Sequence, residues 1–131
     1  MKVYAFENLR VWNESREFVK WIYKITGTFP KSELFGLANQ LRRASISVVS
    51  NIAEGSSRIS YKDQAHFSQI SYSSLIEILN QLLIAFDLGL INQNTLNDGR
   101  TMIESLSGKI AGLRKTQLGY ANGSKKRTSH P

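Results

Sequence analysis

Residues 40–55, QLRRASISVVSNIAEG, restrict the fold more than any other stretch of this chain. Laid on a helix at about 100° per residue, Leu37, Leu41, Ala44, Ser45, Val48, Val49 and Ile52 span roughly 200°, with Ile46 and Ala53 at one edge. An isolated amphipathic helix cannot bury so wide a face. It needs cover from two sides, by a bundle core and by a partner subunit. The polar remainder, Arg43, Ser47, Ser50 and Glu54, falls within about 40° of one line along the helix.

The rest of the chain supplies the other walls of such a bundle. A first helix is expected over residues 9–28, with Val11, Ser15, Phe18, Ile22 and Ile25 as its core stripe, widened by Trp12, Val19 and Tyr23. Arg16, Lys20 and Lys24 form a basic ridge on the opposite face. Gly27, Phe29 and Pro30 end this helix, and Ser32 is placed to cap the second, which continues to residue 57. Ser60 caps a third, with Asp63 in its first turn. Phe67, Ser71, Tyr72, Leu75, Leu79, Leu82 and Phe86 form its apolar half-cylinder, and Gly89 follows its end. Asn92 or Asn94 caps a fourth, whose Leu96, Gly99, Ile103, Leu106, Ile110 and Leu113 form a heptad seam.

No segment alternates with period two, so no strand is expected. Long helices joined by short loops predict an all-α, antiparallel up-down-up-down four-helix bundle over residues 1–118. Residues 119–131 lack apolar periodicity and read as a disordered basic tail. Ile70, Ile84 and Leu88 project from the otherwise polar side of the third helix, and Trp21 sits at the edge of the first helix's stripe. All four suggest a subunit interface.

Few kinds of chemistry survive inspection. There is no cysteine, which removes disulfides, thiol catalysis and cysteine–metal clusters. Asp63 and His66 make half of the Glu-x-x-His-type pair of a bundle metal site, but no second pair exists, so neither a metal nor a cofactor is expected. No serine occupies a nucleophile-elbow turn, and there is no glycine-rich phosphate loop. The serines at core-facing positions, Ser45, Ser68 and Ser71, read as small residues that let helices approach. Arg43, Asn51, Glu54 and Glu77 form the remaining polar constellation. A buried Arg43 would require Glu54 or Glu77 as its carboxylate, a structural pairing rather than a ligand site. Arg42 points into the apolar arc, so its stem packs there or it reaches across an interface.

The formal net charge is +7, lowered to +4 when the tail cations Lys125, Lys126 and Arg127 are set aside. That excess attracts polyanions, or simply keeps a soluble protein away from its isoelectric point. The candidate contacts to nucleic acid are Arg16, Lys20, Lys24, Arg42, Arg58, Lys62 and the three tail cations. They lack interleaved aromatics, and no base-reading motif accompanies them, so contacts would fall mostly on phosphate. The absence of a signal-peptide pattern and of a membrane-length apolar run predicts a cytoplasmic protein with no membrane partner.

Three runs carry a family resemblance: Phe29-Pro30-x-x-Glu33-x-x-Gly36-Leu37-x-x-Gln40, Arg43-Ala44-x-x-Ser47-Val48-x-x-Asn51-Ile52-Ala53-Glu54-Gly55, and Phe67-x-x-Ile70-x-x-x-Ser74-Leu75-x-Glu77. Over residues 6–118 the chain resembles bacterial four-helix-bundle proteins encoded inside intervening sequences of 23S ribosomal RNA genes, many of which bear a ribosomal-protein label. Ser71 and Ser73 stand where that family usually has Ala and Gly. The resemblance implies a cytoplasmic bundle without enzymatic activity that assembles into a ring-like homopentamer. It also implies a likeness to the accessory variability determinant of diversity-generating retroelements, a basic pentamer that binds nucleic acid and a reverse transcriptase. The expected function is therefore a non-enzymatic, oligomeric bundle that binds structured RNA or DNA through a basic surface. The competing expectation is an interaction scaffold docking a nucleic-acid-processing protein such as a reverse transcriptase.

Overall fold

A computed structural model of the chain describes residues 1–123. Among them are four long helices and no strand: α1 (Arg10–Thr26), α2 (Leu37–Ser56), α3 (Tyr61–Asp87) and α4 (Gln93–Asn122). Consecutive helices pack side by side through short connections, and α1 returns to α4, giving the expected antiparallel bundle. A short 3-10 turn, Ala5–Asn8, folds back against α2.

Local chemistry explains most of the boundaries. Ser60 Oγ accepts the Asp63 amide at the start of α3, and Asn92 Oδ1 accepts the Thr95 amide at the start of α4. Gly89 takes φ +75° just past α3, a conformation that disfavours any side chain. The start of α2 differs from expectation. Lys31–Glu33 winds into a 3-10 turn that places Ser32 inside it, and α2 begins only after Gly36. Glu33 Oε1 takes the Leu37 amide at 3.4 Å, so a carboxylate serves the end that Ser32 was expected to cap. At the other end of the chain, α4 runs past residue 118 to Asn122, where Tyr120 packs edge-on to Tyr61.

The core is one cluster built from Phe18 and Ile22 of α1, Leu41, Val48 and Ile52 of α2, Leu75, Ile78 and Leu82 of α3, and Ile103, Leu106 and Ile110 of α4. Helix α3 is rotated relative to the expected half-cylinder. Ser68 and Ser71 face the core as expected, but Ile78 and Ala85 turn fully inward with them, whereas Phe67, Tyr72, Leu79 and Phe86 are half-buried. Small inward residues let α2 and α4 approach α3 closely. Ser71 Oγ donates to the Val48 carbonyl, and Ser68 Oγ donates to Gln117 Oε1 at 2.7 Å in a buried link to α4. At Gly55, an added β-carbon would stand 2.9 Å from Cβ of Phe67.

Helices α1 and α4 are joined by polar contacts as well. Ser105 Oγ donates to Glu14 Oε1 at 2.6 Å, and Lys109 Nζ lies 2.9 Å from Glu14 Oε2 and donates to Ser105 Oγ. Desolvation works against the charged carboxylate. The Ser105 hydroxyl, Lys109 and Arg10 outweigh it and hold Glu14 below the ordinary carboxylate range. Trp21 is partly buried and packs against Phe18 and Gly99 at the margin of the core.

Candidate nucleic-acid interface

Side by side and antiparallel, α1 and α2 leave a furrow along their outer seam. Its first section, about 400 Å³, is lined by Trp12, Arg16, Val19 and Lys20 of α1 and by Ile46 and Val49 of α2. The second, about 600 Å³, adjoins it at Ile46 and Ser50 and continues past Tyr23, Arg42 and Arg43 to Asn51 and Glu54. The i, i+4 spacing of Arg16 and Lys20 sets both on the same edge of α1. That edge borders the seam with α2 and is not the side of α1 farthest from the core.

Two arginines on this surface lie over aromatic rings. The Arg16 guanidinium is 4.6 Å from the centroid of Trp12. The Arg42 guanidinium is 4.9 Å from that of Tyr23, and Arg42 Nε donates to Thr26 Oγ1 at 2.9 Å. Arg42 therefore packs onto α1 within its own chain. Aromatics do interleave with the cations here, contrary to the sequence reading, because α2 brings Arg42 to Tyr23. The Trp12–Arg16 pair was legible as an i, i+4 spacing. The role of Tyr23, Ile46 and Val49 depends on how two helices are placed, which no local pattern reveals.

The remaining candidates are dispersed. Lys20, on the furrow's rim, lies 3.2 Å from Glu17 in a largely exposed pair that contributes little to stability. Lys24 is exposed one turn further along the ridge. Arg58, over the Phe67 ring at 4.5 Å in the α2–α3 connection, and Lys62, in the first turn of α3, line neither section of the furrow. Lys125, Lys126 and Arg127 lie outside the described residues.

The expected polar network does not form. Arg43, Glu54 and Glu77 are all exposed, so Arg43 has no buried charge to neutralise. Glu77 accepts instead from Gln81 on its own helix. Asn51 does join a network, but with other partners: its Nδ2 donates to the Ser47 carbonyl at 2.8 Å, and Ser47 Oγ meets Ser74 Oγ of α3 at 2.9 Å.

Among the described residues no three His, Asp or Glu side chains are grouped to hold a metal ion, and no helix is long and apolar enough to cross a membrane. A family model described as 23S rRNA-intervening sequence protein matches residues 7–112, most of the chain. No curated protein matches it.

Proposed function

The chain belongs to the 23S rRNA-intervening sequence protein family, and from that membership we propose a non-enzymatic, cytoplasmic bundle that binds structured RNA or DNA through its α1–α2 surface. The observation that carries this reading is the continuous furrow bordered by Arg16, Lys20, Arg42 and Arg43, against which only Glu17 and Glu54 set opposite charge. Cations placed at successive helix turns suit a phosphate backbone. They supply affinity and position without reading sequence. The family description names a ribosomal RNA element and no catalytic activity. Assembly as a homopentamer is part of the proposal, and light scattering would return five times the 14.8 kDa chain mass.

Titration of the full chain against labelled structured RNA and duplex DNA across a salt series tests the reading. Affinity falls steeply with salt, and the double reversal Arg16→Glu with Lys20→Glu weakens binding and flattens the slope by roughly 0.7–0.9 per lost phosphate contact. Absent or salt-insensitive binding would sink it.

A second reading, docking of a nucleic-acid-processing protein such as a reverse transcriptase, draws support from α3. Ile76, Leu83, Ile84 and Leu88 are exposed there, on a helix whose described cations reduce to Lys62.

A further inference from the structure

We infer that the α1–α2 furrow takes unpaired nucleotides, so that the chain prefers single-stranded or looped RNA over a continuous duplex. The inference rests on the nucleic-acid reading above and specifies its ligand. A duplex offers a ridge of phosphates with its bases stacked away inside. Such a ridge would meet the cationic rim and leave the floor of the furrow unused.

That floor is apolar. Val19, Ile46 and Val49 line it, with Trp12 at one end, and Ile46 is 45% exposed at the junction of the two sections. A β-branched side chain standing open between four cations calls for an occupant with both an apolar face and negative charge. An unstacked base with its phosphate has both. Its flat face covers Val19, Ile46 and Val49, and its phosphate reaches Arg16 or Lys20.

The two arginine–aromatic pairs strengthen the assignment. Each guanidinium carbon lies over a ring, 4.6 Å from the Trp12 centroid for Arg16 and 4.9 Å from that of Tyr23 for Arg42. Arg16 is exposed beside Trp12, so the pair offers a base a cationic and aromatic surface of the kind that sequence-tolerant single-strand binders use. Each section of the furrow has room for a nucleobase.

The test compares an unstructured oligouridylate with a blunt RNA duplex of equal strand length, each labelled, by fluorescence anisotropy at one salt concentration. The full chain and its Ile46→Lys variant are titrated in parallel. Because Ile46 is exposed, the variant keeps the fold and sets a cation in the middle of the apolar floor. The expected result is about tenfold tighter binding of the oligouridylate by the unmodified chain. In Ile46→Lys that preference disappears while duplex affinity holds or rises. Equal affinity for the two ligands, or a preference that survives Ile46→Lys, overturns the inference while leaving the nucleic-acid reading intact. Failure of both ligands to bind at low salt overturns both. A change in assembly mass caused by Ile46→Lys marks the furrow as a seam between subunits, and it too overturns the inference.

Discussion

The indole of Trp21 lies so close to Gly99 that a β-carbon there would stand 2.9 Å from Cη2, and 2.8 Å from Cδ1 of Leu82. Gly99 is a packing residue: it lets a large ring of α1 close on α3 and α4 together. Gly99→Ala is therefore expected to destabilise by roughly 1–3 kcal/mol, despite alanine's better helix propensity. Gly108 and Gly112 have nothing within 4 Å of an added β-carbon. At those positions the same substitution should stabilise by up to about 1 kcal/mol. Chemical denaturation of the three variants separates the cases, and a Gly99→Ala protein as stable as the parent would refute the close approach.

Ser68 and Ser71 lie one turn apart, yet their loss should differ. Removing the Ser68 hydroxyl strands the buried Gln117 Oε1, at a cost of roughly 1–3 kcal/mol. Removing that of Ser71 frees only the Val48 carbonyl, which already serves the helix ladder, so Ser71→Ala should cost less than about 1 kcal/mol. Urea midpoints of the two alanine variants check the order.

Glu14 gives the stability an acid limb. Its folded carboxyl titrates below the ordinary value of 4.5, so its contribution is fully present above that value. The contribution is lost as pH falls through the lowered folded value. Glu14→Gln should be less stable than the parent at neutral pH, by about 1 kcal/mol or less because the pair is about one-third exposed, and the gap should close in strong acid. A gap that persists there would show that the carboxylate's charge is not what ties α1 to α4.

Arg42 couples stability to the candidate surface. Arg42→Lys keeps the charge but loses the Nε bond to Thr26 and the guanidinium's place over the Tyr23 ring. It should cost about 1 kcal/mol while leaving the salt slope of nucleic-acid binding unchanged. Arg42→Ala should lower both. Thermal unfolding alongside a salt-dependent binding series distinguishes them.

The helices were legible because apolar spacing, Ser60, Asn92 and Gly89 act locally. The beginning of α2 was not, since the competition between Ser32 and Glu33 is decided by the turn after Pro30. The rotation of α3 was hidden for a different reason. The core-facing places of Ser68 and Ser71 were legible. Large residues such as Phe67 and Tyr72, however, promise more burial than close helix approach allows, and Ile78 and Ala85 take the innermost line instead. The cationic ridge was visible, whereas the furrow beside it was not, because its floor belongs to two helices. Arg43 was mistaken for a buried charge when its neighbours Ser50 and Glu54 already marked an outward edge.

The interior hydroxyls make the alignment of the helices discrete. Sliding α3 by one turn, about 5.4 Å, would part Ser71 from the Val48 carbonyl, Ser74 from Ser47 and Ser68 from Gln117 all at once. Hydrocarbon surfaces tolerate such a slip, since one methyl group substitutes readily for another. A bundle repacked with alanine at those three serines would keep much of its cohesion and lose its preference for a single alignment.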